Sequence, residues 1–230
     1  QIQFYTKCLA KLKSDGISWA TLTDTDEYIL PNPHEESLLA VSSNMTVFQI
    51  LTNPDNRRKS KMIQSGCVSM HRLQFGHKES DQNIVQKMVP QGFNGTDFST
   101  IRWRYHAAYA DKSANKLAKC MVNLNRARDT DFMSENVNPH RPIKRICSIS
   151  NMRIEHSDSP FVAYHYSGSW EQWNYRNDFR PKRQRESFDL LNFEDEKHQD
   201  DSVRPWLQGF VDDVGIAMAS YLLQGAGKVD

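Results

Sequence analysis

A short apolar segment that ends in acidic residues constrains the fold of this 230-residue chain more than any other feature. Residues 1–13 carry apolar side chains along one helical face, and Gly16 follows where such a helix would end. Residues 17–23 (ISWATLT) then have the length and composition of a buried strand, and Asp24 comes directly after them. In open α/β sheets, ligands bind beyond the carboxyl ends of the strands. The sequence therefore predicts an α/β fold with a binding site at Asp24.

The composition favours a folded domain and argues against two classes of partner. Apolar residues make up 38% of the chain, which is enough to form a core, and the 29 basic and 28 acidic residues leave a net charge of +1. Such a balance predicts no general attraction to nucleic acid or to an anionic membrane. No run reaches the roughly 20 apolar residues that a membrane-spanning helix needs. Because the chain starts at Gln1, we expect an absent N-terminal region, and a membrane anchor could lie there.

The cysteines and the glycosylation sequons bear on the cellular compartment. The cysteines are Cys8, Cys67, Cys120 and Cys147. Their spacing matches no CxxC metal pattern, and it permits three complete disulfide pairings without choosing among them. Sequons at Asn44 and Asn94 mildly favour the lumen of the secretory pathway.

Periodicity and turn signals predict the remaining elements. Further strands are expected at residues 47–51, 66–75, 119–124, 145–154 and 161–163, and loops at 53–61 and 80–100. Ser169 and Gln172 have the spacing of a capping box, which predicts the start of a helix. We expect a main domain at residues 1–180, a charged linker at 181–201 and a C-terminal helix at 202–230, starting at Ser202 and ending near Gly225.

The acidic turn suggests a metal site. Asp24 and Asp26 are two residues apart, so in extended backbone their side chains point to the same side and can converge. Two adjacent carboxylates repel each other unless a cation lies between them. Oxygen ligands suit Mg²⁺ or Mn²⁺, which commonly bridge carboxylates to substrate phosphates. The alternative is a solvated acidic turn or a helix-cap cluster.

Four segments resemble glycosyltransferase family 92. Residues 24–29 (DTDEYI), followed by Pro31, resemble the family's D-x-D-E-[FY]-[IL] signature. Residues 71–76 (HRLQFG) are similar to its strand that ends in Phe-Gly, and residues 163–173 (AYHYSGSWEQW) to its late His-Tyr segment. Residues 116–125 (KLAKCMVNLN) resemble the lysine-containing strand between them. The resemblance covers roughly residues 1–180, and the four segments occur in the family's order.

The resemblance implies a fold and a reaction. The fold would be GT-A-like, a mixed sheet flanked by helices, here without most of the N-terminal half that holds the nucleotide. The reaction would be a metal-dependent, inverting transfer of a hexose, with galactose the best-known case, from a nucleotide sugar such as a UDP-sugar to a glycan acceptor. The expected location is the Golgi or secretory-pathway lumen, as part of a type II membrane protein.

The same resemblance suggests metal and donor ligands. Asp26 would be the principal ligand of Mn²⁺ (or Mg²⁺), and Asp24 would contact the metal through water or the ribose of the donor. His165 follows a predicted strand, and its imidazole would complete the metal site. The alternative for His165 is a strand-edge histidine that is hydrogen-bonded to backbone.

Candidates for catalysis and sugar binding lie further along the chain. Glu171 and Asp178 are the candidates for the general base that an inverting transfer requires. An acid in a first helical turn also favours the helix dipole, which is the simpler explanation of Glu171. Trp170, Trp173 and Tyr166 could stack on sugar rings, although closely spaced aromatic residues are more often part of a core.

Two other classes of function compete with a transferase. One is a carbohydrate-binding domain that keeps an incomplete or degenerate GT-A-like fold without catalysis. The other is a metal-dependent phosphohydrolase that uses the same turn, which would require further acidic residues at other strand ends.

Overall fold

The computed structural model describes residues 2–32, 45–95, 97–175 and 185–223, and in this part the chain has a mixed α/β fold. The strands are Trp19–Thr21 (β1), Glu27–Pro31 (β2), Cys67–Phe75 (β3), Lys119–Asn123 (β4) and Phe161–Tyr166 (β5). The α-helices are Ile2–Ser14 (α1), Val47–Thr52 (α2), Pro54–Lys59 (α3), Lys61–Ser65 (α4), Gln82–Met88 (α5), Trp170–Tyr175 (α6), Arg185–Asp189 (α7), Arg204–Val214 (α8) and Ile216–Leu222 (α9). Short 3₁₀ helices span Ser99–Arg102, Leu124–Arg126, Asp129–Phe132, Ser134–Asn136, Ile149–Met152 and His156–Asp158.

The strands form one five-stranded sheet in the order β1-β4-β3-β5-β2. β4 is antiparallel to β1, with Trp19 opposite Asn123, and antiparallel to β3, with Val68 opposite Met121. β1 and β2, which flank the acidic turn, are therefore the two edge strands of the sheet.

The chain divides into two compact units, and unit 1 contains residues 1–73 and 109–164. Successive side chains of a strand point to opposite faces of a sheet, and in this sheet the side chains on both faces are buried. On one face Cys67 and Val122 pack with Tyr5 and Leu9 of α1. On the other face lies a second cluster, which consists of Ile50, Leu51, Ile63, Val68, Met70, Met121, Phe161 and Ala163.

Unit 2 contains residues 74–108 and 165–230. The rings of Phe75 and Tyr166 stack at a centroid distance of 4.3 Å. The guanidinium of Arg104 is ion-paired with Asp201, which ties the segment after the Ser99–Arg102 helix to the start of α8. No helix in the described parts of the chain combines the length and apolarity that crossing a membrane requires.

Several elements predicted from local patterns are confirmed. α1 forms as expected and buries Tyr5 and Leu9, and β3, β4 and β5 lie where strands are predicted. The capping box is also present. The backbone N–H of Gln172 donates to Ser169 Oγ at 3.3 Å, and the backbone N–H of Ser169 donates to Gln172 Oε1 at 2.9 Å.

Other predictions of secondary structure are wrong. Residues 47–51 form α2 instead of a strand, because Thr46 and Gln49 make a capping box that starts a helix there. Residues 145–154 contain the 3₁₀ helix Ile149–Met152, and the Ser148 N–H donates to Asn151 Oδ1 at 2.8 Å at its start. The expected loop at residues 53–61 contains α3 and the first residue of α4, whereas residues 80–100 are mostly loop, as predicted, around α5.

The C-terminal part also differs from the expectation of a linker followed by one helix. α7 lies within residues 181–201, of which 181–184 lie outside the described residues. The predicted final helix is two helices, α8 and α9, that meet at Gly215, whose φ of +79° ends the first. Gly225 lies outside the described residues.

Candidate functional site at the acidic turn

The acidic turn, residues 22–26, connects the two edge strands. Asp24 follows the end of β1, as the sequence predicts. The Asp24 N–H donates to Glu27 Oε2 at 3.0 Å, and the Glu27 N–H donates to the Asp24 carbonyl oxygen at 3.1 Å. These reciprocal bonds fix the geometry of the turn between Asp24 and Glu27.

A buried lysine of β4 neutralises part of the turn. Lys119 Nζ lies 3.0 Å from Asp24 Oδ2 and 2.9 Å from Glu27 Oε2, and the Lys119 side chain is 0% exposed. A buried charge requires such a partner, because its desolvation costs several kcal/mol. Asp24 and Glu27 share this ammonium, which relieves much of the repulsion between their carboxylates.

Two buried polar atoms next to this cluster have no hydrogen-bond partner among the described residues. They are Glu27 Oε1 and His140 Nδ1. Burial lowers the pKa of His140, and the positive charge of Lys119 lowers it further, so the imidazole stays neutral near pH 7. Buried polar groups are seldom left unsatisfied. The vicinity of Lys119 therefore retains hydrogen-bonding capacity that the described residues do not use.

His165, the predicted third metal ligand, lies near the end of β5 in unit 2, whereas the acidic turn belongs to unit 1. His165 Nδ1 is 2.7 Å from Gln74 Oε1. The amide orientation is set by Gln74 Nε2, which donates to Ser167 Oγ at 2.7 Å and to the His165 carbonyl oxygen at 3.1 Å. Because an amide oxygen only accepts, Nδ1 carries the proton in this network, and Nε2 is the nitrogen with ligand character. A joint site of Asp24, Asp26 and His165 stays a prediction.

Among the described residues, one group of three ligand-type side chains has its ligand atoms within 4.8 Å of one another, and it consists of cysteines. Cys67 and Cys147 form a disulfide, and Cys120 is a buried free thiol beside it. Burial raises the pKa of Cys120 to about 12. Since metal ligands and nucleophiles are thiolates, this thiol is inert in the oxidised protein. The carboxylates of the acidic turn form no comparable group, so binding of Mn²⁺ or Mg²⁺ there stays a prediction.

Of the two candidates for the general base, the structure describes one. Glu171 is exposed in the first turn of α6, and its pKa is lowered by a hydrogen bond from its own backbone N–H and then by one from the Ser169 hydroxyl. A base is most effective when its pKa lies near the working pH, so this environment favours a role at the helix N-terminus. Asp178 lies outside the described residues.

The three predicted sugar-stacking residues make ring contacts inside unit 2. Tyr166 is buried against Phe75. Trp170 and Trp173 approach Phe188 edge-on, with centroid distances of 5.4 and 5.6 Å. These contacts agree with the alternative that the aromatic residues are part of a core.

Lys119 is the principal residue of the site that the sequence did not single out. The sequence does contain a sign of this role. Lys119 begins the apolar segment KCMVN, and a lysine there is costly to bury unless an acidic residue pairs with it. The partner is not readable from the sequence, because Asp24 precedes Lys119 by 95 positions.

Comparisons with protein-family models, with curated proteins and with solved structures find no match for this chain. Its function is therefore argued from its own residues.

Proposed function

We propose that this chain is a GT-A-like domain of a metal-dependent glycosyltransferase, which transfers a hexose, galactose in the first instance, from a UDP-sugar to a glycan with inversion. The observation that carries the proposal is the contact of Lys119 with Asp24 and Glu27. It joins two of the segments that resemble family 92, the acidic signature and the lysine-containing strand. The other two segments include β3 and β5, which are neighbours in the same sheet.

Each residue of the turn has a distinct part in this proposal. Lys119 and Glu27 hold the turn in place, which keeps ligand atoms close to their working geometry. Asp24 Oδ2 is engaged by Lys119, so Asp24 acts through its other oxygen, on a ribose hydroxyl or a metal-bound water. Asp26 is the principal ligand. A bound Mn²⁺ or Mg²⁺ would neutralise the charge on the departing nucleoside diphosphate.

The non-catalytic alternative, a carbohydrate-binding domain, has one observation in its favour. The ammonium of Lys119 is shared by Asp24 and Glu27, so the chain itself balances part of the charge that a metal ion would otherwise balance. A domain that had lost catalysis could retain this cluster for stability alone. The two proposals differ in whether the chain binds UDP.

Calorimetric titration with Mn²⁺ and then with UDP tests both. We expect Mn²⁺ binding that weakens at least about tenfold in Asp26→Asn, as expected for the loss of a charged ligand. Asp15→Asn is the matched control, because Asp15 is a surface acid paired with Lys11. We also expect Mn²⁺-dependent release of UDP from UDP-galactose in the presence of glycan acceptors.

The results of these titrations distinguish the transferase from the non-catalytic domain. Mn²⁺ binding that depends on Asp26, without affinity for UDP even when the N-terminal half that the resemblance implies is included, would favour the non-catalytic domain. A folded chain that binds no Mn²⁺, or that loses it equally in Asp15→Asn, would exclude the metal site and with it the proposed transferase.

A further inference from the structure

We propose that a cavity beside edge strand β1 binds a ring compound that carries a phosphate or carboxylate group. The cavity lies in unit 1 between the start of β1, helices α2 to α4 and the turn after β4, and its volume is about 390 Å³. A second hollow of about 430 Å³ along residues 16–21 shares Trp19, Phe48 and Leu51 with it. Ligand sites typically have volumes of this size. The acidic turn follows the opposite end of β1, so the cavity does not depend on the proposed transferase.

The charged side chains that line the cavity favour an anionic ligand. Arg57 and Arg126 line the cavity, and no acidic residue in the described part of the chain does. The Arg57 guanidinium forms no ion pair with any residue in the described ranges. Its neighbour Arg58, in the same helix, is paired with Asp55. Guanidinium groups bind phosphate and carboxylate through pairs of parallel hydrogen bonds.

Arg126 is held in place before any ligand binds. Its Nη1 donates to the Ser65 carbonyl oxygen at 3.2 Å, and its side chain crosses Gly66. A Cβ at Gly66 would lie 2.5 Å from Arg126 Cδ, and the φ of +83° at this helix end also requires glycine. An arginine that is already ordered loses less conformational entropy when it binds a ligand.

The rest of the lining selects a ring. The floor is apolar, with Leu51 and Ile63 buried, whereas Phe48 is 66% exposed and Trp19 is partly exposed beside it. Aromatic faces pack well against flat or apolar ring faces, and a ligand there would remove the exposed phenyl ring from water. Asn123 and Asn125 add amide groups that can bond ring hydroxyls or carbonyls. Phosphorylated sugars, nucleotides and uronic acids share this combination of an anion on a ring.

Calorimetric titration of the whole chain without divalent metal tests the proposal. The probes are UMP and ribose 5-phosphate, which carry phosphate, glucuronate, which carries carboxylate, and uridine and inorganic phosphate, which each lack one of the two parts. We expect at least one ring anion to bind more tightly than uridine and inorganic phosphate. Binding should weaken about tenfold in Arg57→Gln, since a charged hydrogen bond is lost, and also in Phe48→Ala.

Arg58→Gln is the matched control, because it removes the same charge from the same helix outside the cavity. It should leave binding unchanged. Both lining substitutions are at exposed positions, so the fold is checked by thermal unfolding of each variant. A preference for UMP or for glucuronate identifies the anion as phosphate or carboxylate. Absence of binding by every ring anion at about 10 mM, or equal weakening by Arg58→Gln, overturns the proposal.

Discussion

Lys119 and Glu27 form an ion pair that solvent hardly reaches: Nζ lies 2.9 Å from Oε2, and the two side chains are 0% and 1% exposed. Asp24 shares the same ammonium, but its side chain is 46% exposed. The cluster therefore extends from the interior to the surface, and the position of the acidic turn depends on a residue of β4.

Substitution of Lys119 should be strongly destabilising. Lys119→Met leaves Glu27 charged and uncompensated in the interior, and we expect the free energy of unfolding to fall by about 3–5 kcal/mol in urea titrations. Lys112→Met is the control, because its ion pair with Glu155 is exposed to solvent and should contribute little to stability. The double variant Lys119→Met with Glu27→Leu should recover much of the loss. If it does not, the effect arises from packing and not from the unpaired charge.

The cysteines should differ in reactivity. Peptide mapping should find one disulfide, between Cys67 and Cys147. Cys8 is partly exposed and should react with iodoacetamide in the native protein. Cys120 should react only after denaturation, because it is buried and its pKa is raised to about 12. Equal rates for the two free thiols in the native state would contradict the buried position of Cys120.

Stability should decrease on mild acidification. Burial lowers the pKa of His71 and of His140 below 6.5, so the unfolded chain takes up protons at pH values where the folded chain does not. The contribution of these residues is complete above about pH 6.5 and is lost as the pH falls through their folded-state pKa values. Urea midpoints between pH 7.5 and 5 should fall, and His71→Gln should flatten the decline.

His198→Gln serves as the control for that experiment, because His198 is only partly buried. The carboxyl groups of Asp131 and Glu155 have lowered pKa values, so their contributions are lost only below their ordinary values of 3.8 and 4.5. A decline that begins only below pH 5 would show that the histidines are not its cause, and a decline that His71→Gln leaves as steep would exclude His71.

Glu171 should be dispensable for chemistry. Its lowered pKa and its bonds at the start of α6 make it a weak base, so we expect Glu171→Gln to change Mn²⁺-dependent UDP release by less than about threefold, whereas loss of a general base costs about 10²–10⁴-fold. A hundredfold loss with an unchanged unfolding midpoint would make Glu171 the base after all.

The elements that could be predicted are those whose signals act over a few residues. The apolar face of α1 and the capping box of Ser169 and Gln172 are examples, since both depend on neighbours within one or two helical turns. The prediction of a strand at residues 47–51 was wrong because two local signals compete there. The apolar composition suggested a strand, but the cap formed by Thr46 and Gln49 starts a helix. The cavity beside β1 had no sequence signal, because its lining combines residues from three separate segments.

The sequence by itself determined that three carboxylates follow a short strand and that a lysine and three cysteines lie in or near later apolar segments. Only the tertiary structure decided their partners, because the strand order places β4 between β1 and β3. That order brings Lys119 to Asp24 across 95 positions, and packing of the Cys147 segment into the core on one face of the sheet brings Cys147 to Cys67 across 80. Spacing along the chain does not encode such pairings, since they result from burying both faces of one sheet at once. The acidic turn was predicted from sequence as a site for a cation, and in the fold the ammonium of the protein's own Lys119 contacts it.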